Sequence, residues 1–303
     1  MASPAIGSAA RSGFEEQIKP VSLLFYRAVR DLKPVWMLED MRAMEAFCRE
    51  EGDAAAAAAG RRTYTPSEAL LYAIVHDHRA YARYLLGRYV DEALARPGES
   101  FCRCASPAAP HLAMAVRYDR PYILGLILQE SLRIAGVPSP PSSSTSSSSS
   151  SSSSMSGCFH MEDGRTPLHL ACELLRPEAA VMLLGSGASP HAPDRDGCTP
   201  LDVLLEKLGG HRGQGEASGS GRQCLDHLLM FMPKVRFKMK GALRREPGRW
   251  ARVLGEETYG YLVERRPAPL ILAAMQTVLR QLSPATFSDS LHELPIPSSL
   301  KPL

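Results

Sequence analysis

Two stretches in the first half of the chain share one pattern. Ser67 to Leu86 (SEALLYAIVHDHRAYARYLL) and Ala109 to Gln129 (APHLAMAVRYDRPYILGLILQ) each carry two apolar runs at helical spacing, separated by a short charged or aromatic turn. Upstream, residues 14–52 mix apolar and charged positions at the same spacing, with Pro20 and Pro34 as breaks. Downstream, Leu168 opens a buried stripe. A further helix is predicted over Pro177 to Leu184, where Ala180, Val181, Leu183 and Leu184 share a face and Gly185 and Gly187 supply a stop. The pattern is one of short helices in pairs.

The second half repeats itself. Asp163-Gly164-Arg165-Thr166-Pro167-Leu168-His169-Leu170-Ala171 returns as Asp196-Gly197-Cys198-Thr199-Pro200-Leu201-Asp202-Val203, each matched position displaced by 33 residues. Asp-Gly supplies a tight turn, Thr166 can cap the first helix, and Pro167 sits in the first turn, where no donor is needed. On these residues the chain resembles the ankyrin-repeat family. Its units, a turn and two antiparallel helices, bury their apolar faces only by stacking on neighbours. The two upstream stretches resemble diverged repeats. Setting Ala73, Ala115 and Ala171 at one place in the first helix leaves spacings of 42 and 56, so both connections hold insertions.

The second insertion is evident from composition. Val137 to Gly157 is proline and then almost pure serine, which cannot bury apolar surface and reads as a disordered loop. A glycine-rich excursion, Gly209 to Gly221, reads as another before a helix resumes at Gln223. The expected organisation is a disordered 1–13, an N-terminal helical cap over 14–62, and ankyrin repeats over 63–232 with disordered insertions at 137–157 and 209–221. A basic linker and packing segment over 233–268 and a terminal segment over 269–303 follow. The fold class is all-α, an ankyrin-repeat solenoid.

Composition adds limits. Lysine and arginine number 35 against 32 aspartates and glutamates, a net charge of +3 that gives no global reason for nucleic acid or membrane as partner. No apolar run is long enough to span a bilayer, and the N-terminus has no apolar h-region. Seven scattered cysteines without a Cys-x-x-Cys pair suit reduced thiols, so the expected compartment is the cytosol. Pro233 to Arg252 concentrates basic residues. It reads either as a nuclear or nucleic-acid patch or as a solvated face whose Val235, Phe237, Met239 and Trp250 pack on the last repeat, and the second reading is preferred.

Catalytic motifs are absent: there is no nucleophile elbow, Walker loop, HExxH or dinucleotide fingerprint, so no enzyme and no cofactor is expected. His76-Asp77-His78 lies at a turn between paired helices and reads as structural. Cys102, Cys104 and His111 offer three ligands without a fourth, so no metal site is expected.

The last segment, Pro269 to Leu303, begins with a helix that is apolar on two faces. Leu270, Ala274 and Val278 lie at i, i+4 and i+8, while Leu272, Met275, Leu279 and Leu282 form a second stripe. Such a helix needs two covers, one of which could be the repeat stack and the other a partner. Leu294-Pro295-Ile296-Pro297 follows, its prolines holding an extended backbone. This order resembles a SOCS box, with alanine at 274 where cysteine is usual. The resemblance implies that Leu270, Ala274 and Val278 insert into elongin C and that Leu294, Pro295, Ile296 and Pro297 contact cullin-5. It implies a substrate receptor of a ubiquitin ligase, with elongin B and elongin C, cullin-5 and an unidentified target as partners. The alternative is an ankyrin scaffold whose last helix only caps the stack.

Overall fold

The computed structural model describes residues 23–47, 64–98, 110–135, 164–210 and 219–295. The disorder expected at 1–13 and 137–157 lies outside them. The described residues are helical with no strand, and the chain divides into two compact units, residues 1–160 and 161–303.

The first unit comprises α1 (Leu23–Arg30), α2 (Val35–Phe47), α3 (Pro66–His76), α4 (Arg79–Arg88), α5 (Val90–Leu94), α6 (His111–Arg117) and α7 (Pro121–Ala135). Helices α3 and α4 pair, α6 and α7 pair, and the second hairpin stacks on the first. Thr65 starts α3 with a capping box. Its hydroxyl accepts the Glu68 N–H at 3.2 Å, and its own N–H donates to the Glu68 carboxylate at 3.2 Å. The cap helices lean on this pair through aromatic packing, Phe25 stacking on Tyr64 at 4.6 Å and meeting Tyr72 edge-on at 5.9 Å. An ionic knot fixes their angle. Glu39 accepts from Arg42 at 2.8 and 2.7 Å and from the Tyr81 hydroxyl at 2.7 Å, joining α2 to α4.

The second unit comprises α8 (Pro167–Glu173), α9 (Pro177–Gly185), α10 (Pro200–Gly210), α11 (Gly219–Met230), α12 (Lys240–Arg245), α13 (Pro247–Leu254), α14 (Glu256–Leu262), α15 (Leu270–Leu279) and α16 (Phe287–Glu293). First helices stack in one row, α8 on α10 with α13 beyond, and second helices in another, α9 on α11 with α15 beyond. One expectation is corrected here. The glycine-rich insertion is shorter than 209–221, because Gly209 and Gly210 complete α10 and Gly219 to Gly221 open α11. Gly209 is required for packing rather than freedom: a Cβ there would lie 2.8 Å from the Trp250 ring. The basic stretch 233–268, expected as a linker and packing segment, holds three helices, with Leu243, Trp250, Leu254, Tyr259, Leu262 and Val263 buried as their core side.

One turn recurs at five helix ends. The carbonyls of Ala28, Ala73, Ala115, Ala171 and Gly260 accept the N–H five residues on, from Lys33, His78, Arg120, Arg176 and Arg265, at 2.8–3.0 Å. The residue before each donor (Leu32, Asp77, Asp119, Leu175, Glu264) is left-handed, with φ between 52° and 61°. A non-glycine residue pays of order 1 kcal/mol for that conformation, so the hairpin around it must hold it there. The spacings of 42 and 56 between Ala73, Ala115 and Ala171 thus mark one structural position.

Candidate functional site

Within the second unit, the matched motifs make the same link with different side chains. His169 Nδ1 accepts from the Thr166 N–H at 3.0 Å, so Nε2 carries the proton and donates to the Cys198 carbonyl of the next unit at 3.1 Å. Burial lowers the affinity of this imidazole for a second proton, against the pull of that carbonyl. At the equivalent place stands Asp202, fully buried, which accepts from Thr199 N–H and hydroxyl at 2.8 Å each. Its carboxylate also accepts the N–H groups of Lys238 and Met239, at 3.0 and 2.7 Å. The basic stretch is therefore tied to the last matched repeat through its backbone.

The loop between these repeats is built for display. Asp194 turns inward, its Oδ1 accepting the N–H of Asp196 at 3.0 Å and of Cys198 at 2.8 Å, while Pro193, Arg195 and Asp196 face solvent. Gly164 and Gly197, with φ of 73° and 75°, make the paired turns. Two cysteines nearby are core residues: burial pushes the thiols of Cys172 and Cys224 up, the latter to about 12. Among the described residues no group of three His, Cys, Asp or Glu side chains could hold a metal. His78 instead accepts the Tyr81 N–H at 3.2 Å and donates to the Lys33 carbonyl at 2.8 Å; Cys102 and Cys104 lie outside the described residues.

Helix α15 has one face in and one face out. Met275 and Leu279 are buried with Val181, Phe287 and Leu291, and Leu282 and Leu294 pack against them. The opposite face carries Leu270, 87% exposed, Ile271 at 54%, an exposed Ala274 and a half-buried Val278. Leu270, Ala274 and Val278 thus share one outward face, as their i, i+4, i+8 spacing requires. Of the second set, Leu294 turns into the core cluster and Pro295 is exposed, whereas Ile296 and Pro297 lie outside the described residues.

Sequence reasoning missed what fixes the helix's rotation. Gln276, 6% exposed, donates its amide to the carbonyls of Leu229 and Met232, at 2.8 and 3.3 Å, capping the end of α11. Turning α15 over would strand that amide in an apolar cluster. The signal was present as a polar residue in an otherwise apolar stripe. Gly185 was read only as a helix stop, yet the Phe287 ring occupies the space its Cβ would fill.

These features have counterparts. Residues 163–195 match the ankyrin repeat family. Over 97% of its length the chain is 40% identical to ankyrin repeat domain-containing protein 9 of Mus musculus, of which 92% is covered. The chain belongs to the ankyrin repeat domain-containing protein 9 family. Shorter likenesses agree with the repeat alone: 60% identity over 42 residues to human neurogenic locus notch homolog protein 4, 14% of this chain and 2% of that one. A BTB/POZ domain and ankyrin repeat-containing protein of Medicago truncatula is 46% identical over 41 residues, 14% of this chain and 8% of its own. No solved structure matches. Membership in the ankyrin repeat domain-containing protein 9 family makes this an ankyrin-repeat protein, and such repeats indicate a protein that binds other proteins. No described helix is long and apolar enough to cross a membrane.

Proposed function

We propose that the protein is the substrate receptor of a cullin-5 and elongin B/C RING ubiquitin ligase in the cytosol, binding target proteins through its repeats for ubiquitination and proteasomal degradation. The observation that carries this reading is the outward face of α15. A leucine 87% exposed at the head of a helix whose reverse is buried is an apolar surface that wants a partner. A helix serving only as a cap has no need of that outer stripe, which weighs against the scaffold alternative. Leu270, Ala274 and Val278 would enter elongin C, and the segment from Leu294 through Pro295, Ile296 and Pro297 would meet cullin-5. The chain itself transfers nothing: it raises the effective concentration of a target lysine near the loaded conjugating enzyme.

Co-purification of the full chain with elongins B and C and cullin-5 tests this. The intact protein should recover all three. Leu270→Asp should lose all of them without altering the helical circular dichroism spectrum, since Leu270 makes no core contact. Pro295→Ala with Pro297→Ala should lose mainly the cullin. Absence of elongin from the intact protein's complexes refutes the reading and leaves the scaffold.

A further inference from the structure

The apolar stripe of α15 is bordered by an excess of basic residues. The turn that delivers the helix begins at Glu264 and continues with Arg265 and Arg266, both exposed. From α12, Lys240 and Arg244 reach the same Glu264 at 2.5 and 3.9 Å, with Arg245 exposed beside them. Lys240 and Arg244 thus meet one carboxylate, and three further arginines of the same two segments are exposed. From Arg265 to Ser288 the sequence contains no aspartate or glutamate, and α15 is followed by an exposed Arg280. Arg266 is held rather than loose. Its Cδ would lie 3.0 Å from a Cβ on Gly260, so its stem runs close over the backbone of α14 while its head reaches solvent.

The chain path puts the stripe and the arginines of its turn on one footprint. Leu270 lies four residue steps on from Arg266, at most about 14 Å of extended chain. A standard interface of about 800 Å² per partner is wider than that. Coulomb forces act over about 8–10 Å at ordinary salt, so a partner seated on Leu270 feels these guanidinium groups. Two cations elsewhere in the basic stretch are engaged otherwise: Lys238 Nζ donates to the Asp196 carbonyl at 2.8 Å, and Arg249 to Glu246 at 2.8 Å and to the Gly209 carbonyl at 2.5 Å.

We infer that the docking face of α15 is one half of a two-part surface, and that its partner is a protein presenting an apolar pocket bordered by carboxylates, steered into place by Lys240, Arg244, Arg245, Arg265 and Arg266. This rests on the reading of α15 as the elongin-binding helix and adds a requirement to it: the pocket that receives Leu270 has an acidic margin. A protein is favoured over nucleic acid because the centre of the footprint is apolar. A phosphate backbone would gain nothing from Leu270, Ile271 and Ala274 and would desolvate beside them.

The test is kinetic. Association of the full-length chain with purified elongin B/C is followed by surface plasmon resonance as sodium chloride rises from about 50 to 500 mM, for the wild type, Leu270→Asp, Arg265→Glu with Arg266→Glu, and the matching lysine pair. The wild-type association rate should fall about tenfold or more across the series, and the glutamate pair should lower it about tenfold at low salt with little change in dissociation. The lysine pair should behave as wild type. The substituted arginines are exposed, and unchanged thermal unfolding of each variant checks that the fold survives. Binding that ignores both salt and the glutamate pair overturns the charged margin and leaves the elongin reading standing. No binding by the wild type overturns both. A short DNA duplex that competes with elongin for the wild-type chain but not for the glutamate pair would assign the cations to nucleic acid instead.

Discussion

Gly185→Ala isolates the seat of the terminal hairpin on the repeats. Gly185 closes α9 with an ordinary helical backbone, so alanine fits its conformation and on propensity alone should stabilise by about 1 kcal/mol. Packing says the opposite. A Cβ there would lie 2.1, 2.2 and 2.5 Å from Cδ1, Cε1 and Cγ of Phe287, more than 1 Å inside the contact distance of about 3.5 Å. Phe287 is 6% exposed, walled by Val181, Met275, Leu279 and Leu291, with the Phe231 ring at 5.9 Å. It cannot retreat without moving α16. Overpacking of this kind costs about 1–3 kcal/mol, and complete ejection of a phenylalanine about 3–5 kcal/mol. Urea unfolding of the variant should therefore show a net loss of about 1–3 kcal/mol. In a Phe287→Ala background the clash is gone, and the same alanine should stabilise by about 0.5–1 kcal/mol. Equal or greater stability of Gly185→Ala in the wild-type background would refute the docking of α16 on α9.

Three further outcomes are expected. Asp202→Asn should lose about 2–4 kcal/mol in urea unfolding, because one carboxylate accepts four donors there, and Asp202→His, although it restores the motif of the preceding repeat, should not recover it, since an imidazole N–H would face the N–H groups of Lys238 and Met239. Gln276→Glu should destabilise more than Gln276→Leu, because a carboxylate would face the carbonyls of Leu229 and Met232, and hydrogen exchange over residues 270–279 should rise in both. His169 and His227 are both held by burial below the ordinary 6.5, so the unfolded chain takes up their protons first as pH falls; stability should be full above about pH 6.5 and decline below it, read as a lower urea midpoint at about pH 5.5 than at about pH 7.5, with a shallower slope for His227→Asn.

Where the sequence spoke plainly, a local device was at work. Thr166-Pro167-Leu168-His169 carries its cap, its first turn and its inter-repeat bond within four residues, and its return 33 positions later exposes the period. The outward face of α15 was legible for the same reason, since i, i+4 and i+8 leave a helix on one side whatever surrounds it. What stayed hidden depends on residues far apart in the chain. Nothing near Asp202 announces that its carboxylate will hold Lys238 and Met239, nothing near Gly185 announces Phe287, and nothing near Gly209 announces Trp250. The basic stretch was legible as a packing segment but not as helices, because its charges dominate its composition. Its helices are set by Leu243, Trp250, Leu254, Tyr259, Leu262 and Val263, six buried apolar residues among many exposed polar ones.

The recurring turn changes what the terminal helix is. Gly260, Glu264 and Arg265 stand to one another as Ala171, Leu175 and Arg176 do in the matched repeat, with the same left-handed residue before the same backbone bond. Helix α14 therefore ends as the first helix of a repeat does, and α15 lies in the row that α9 and α11 begin. In a stack where each hairpin is stabilised mainly by its neighbours, the last one cannot loosen without exposing the face of the one before. Gln276, which ends α11 and orients α15 at once, is the point where those two stabilities meet. The helix that offers Leu270 outward is held by the repeat it covers, so the rigidity of its outward face derives from the same packing that keeps the repeats folded.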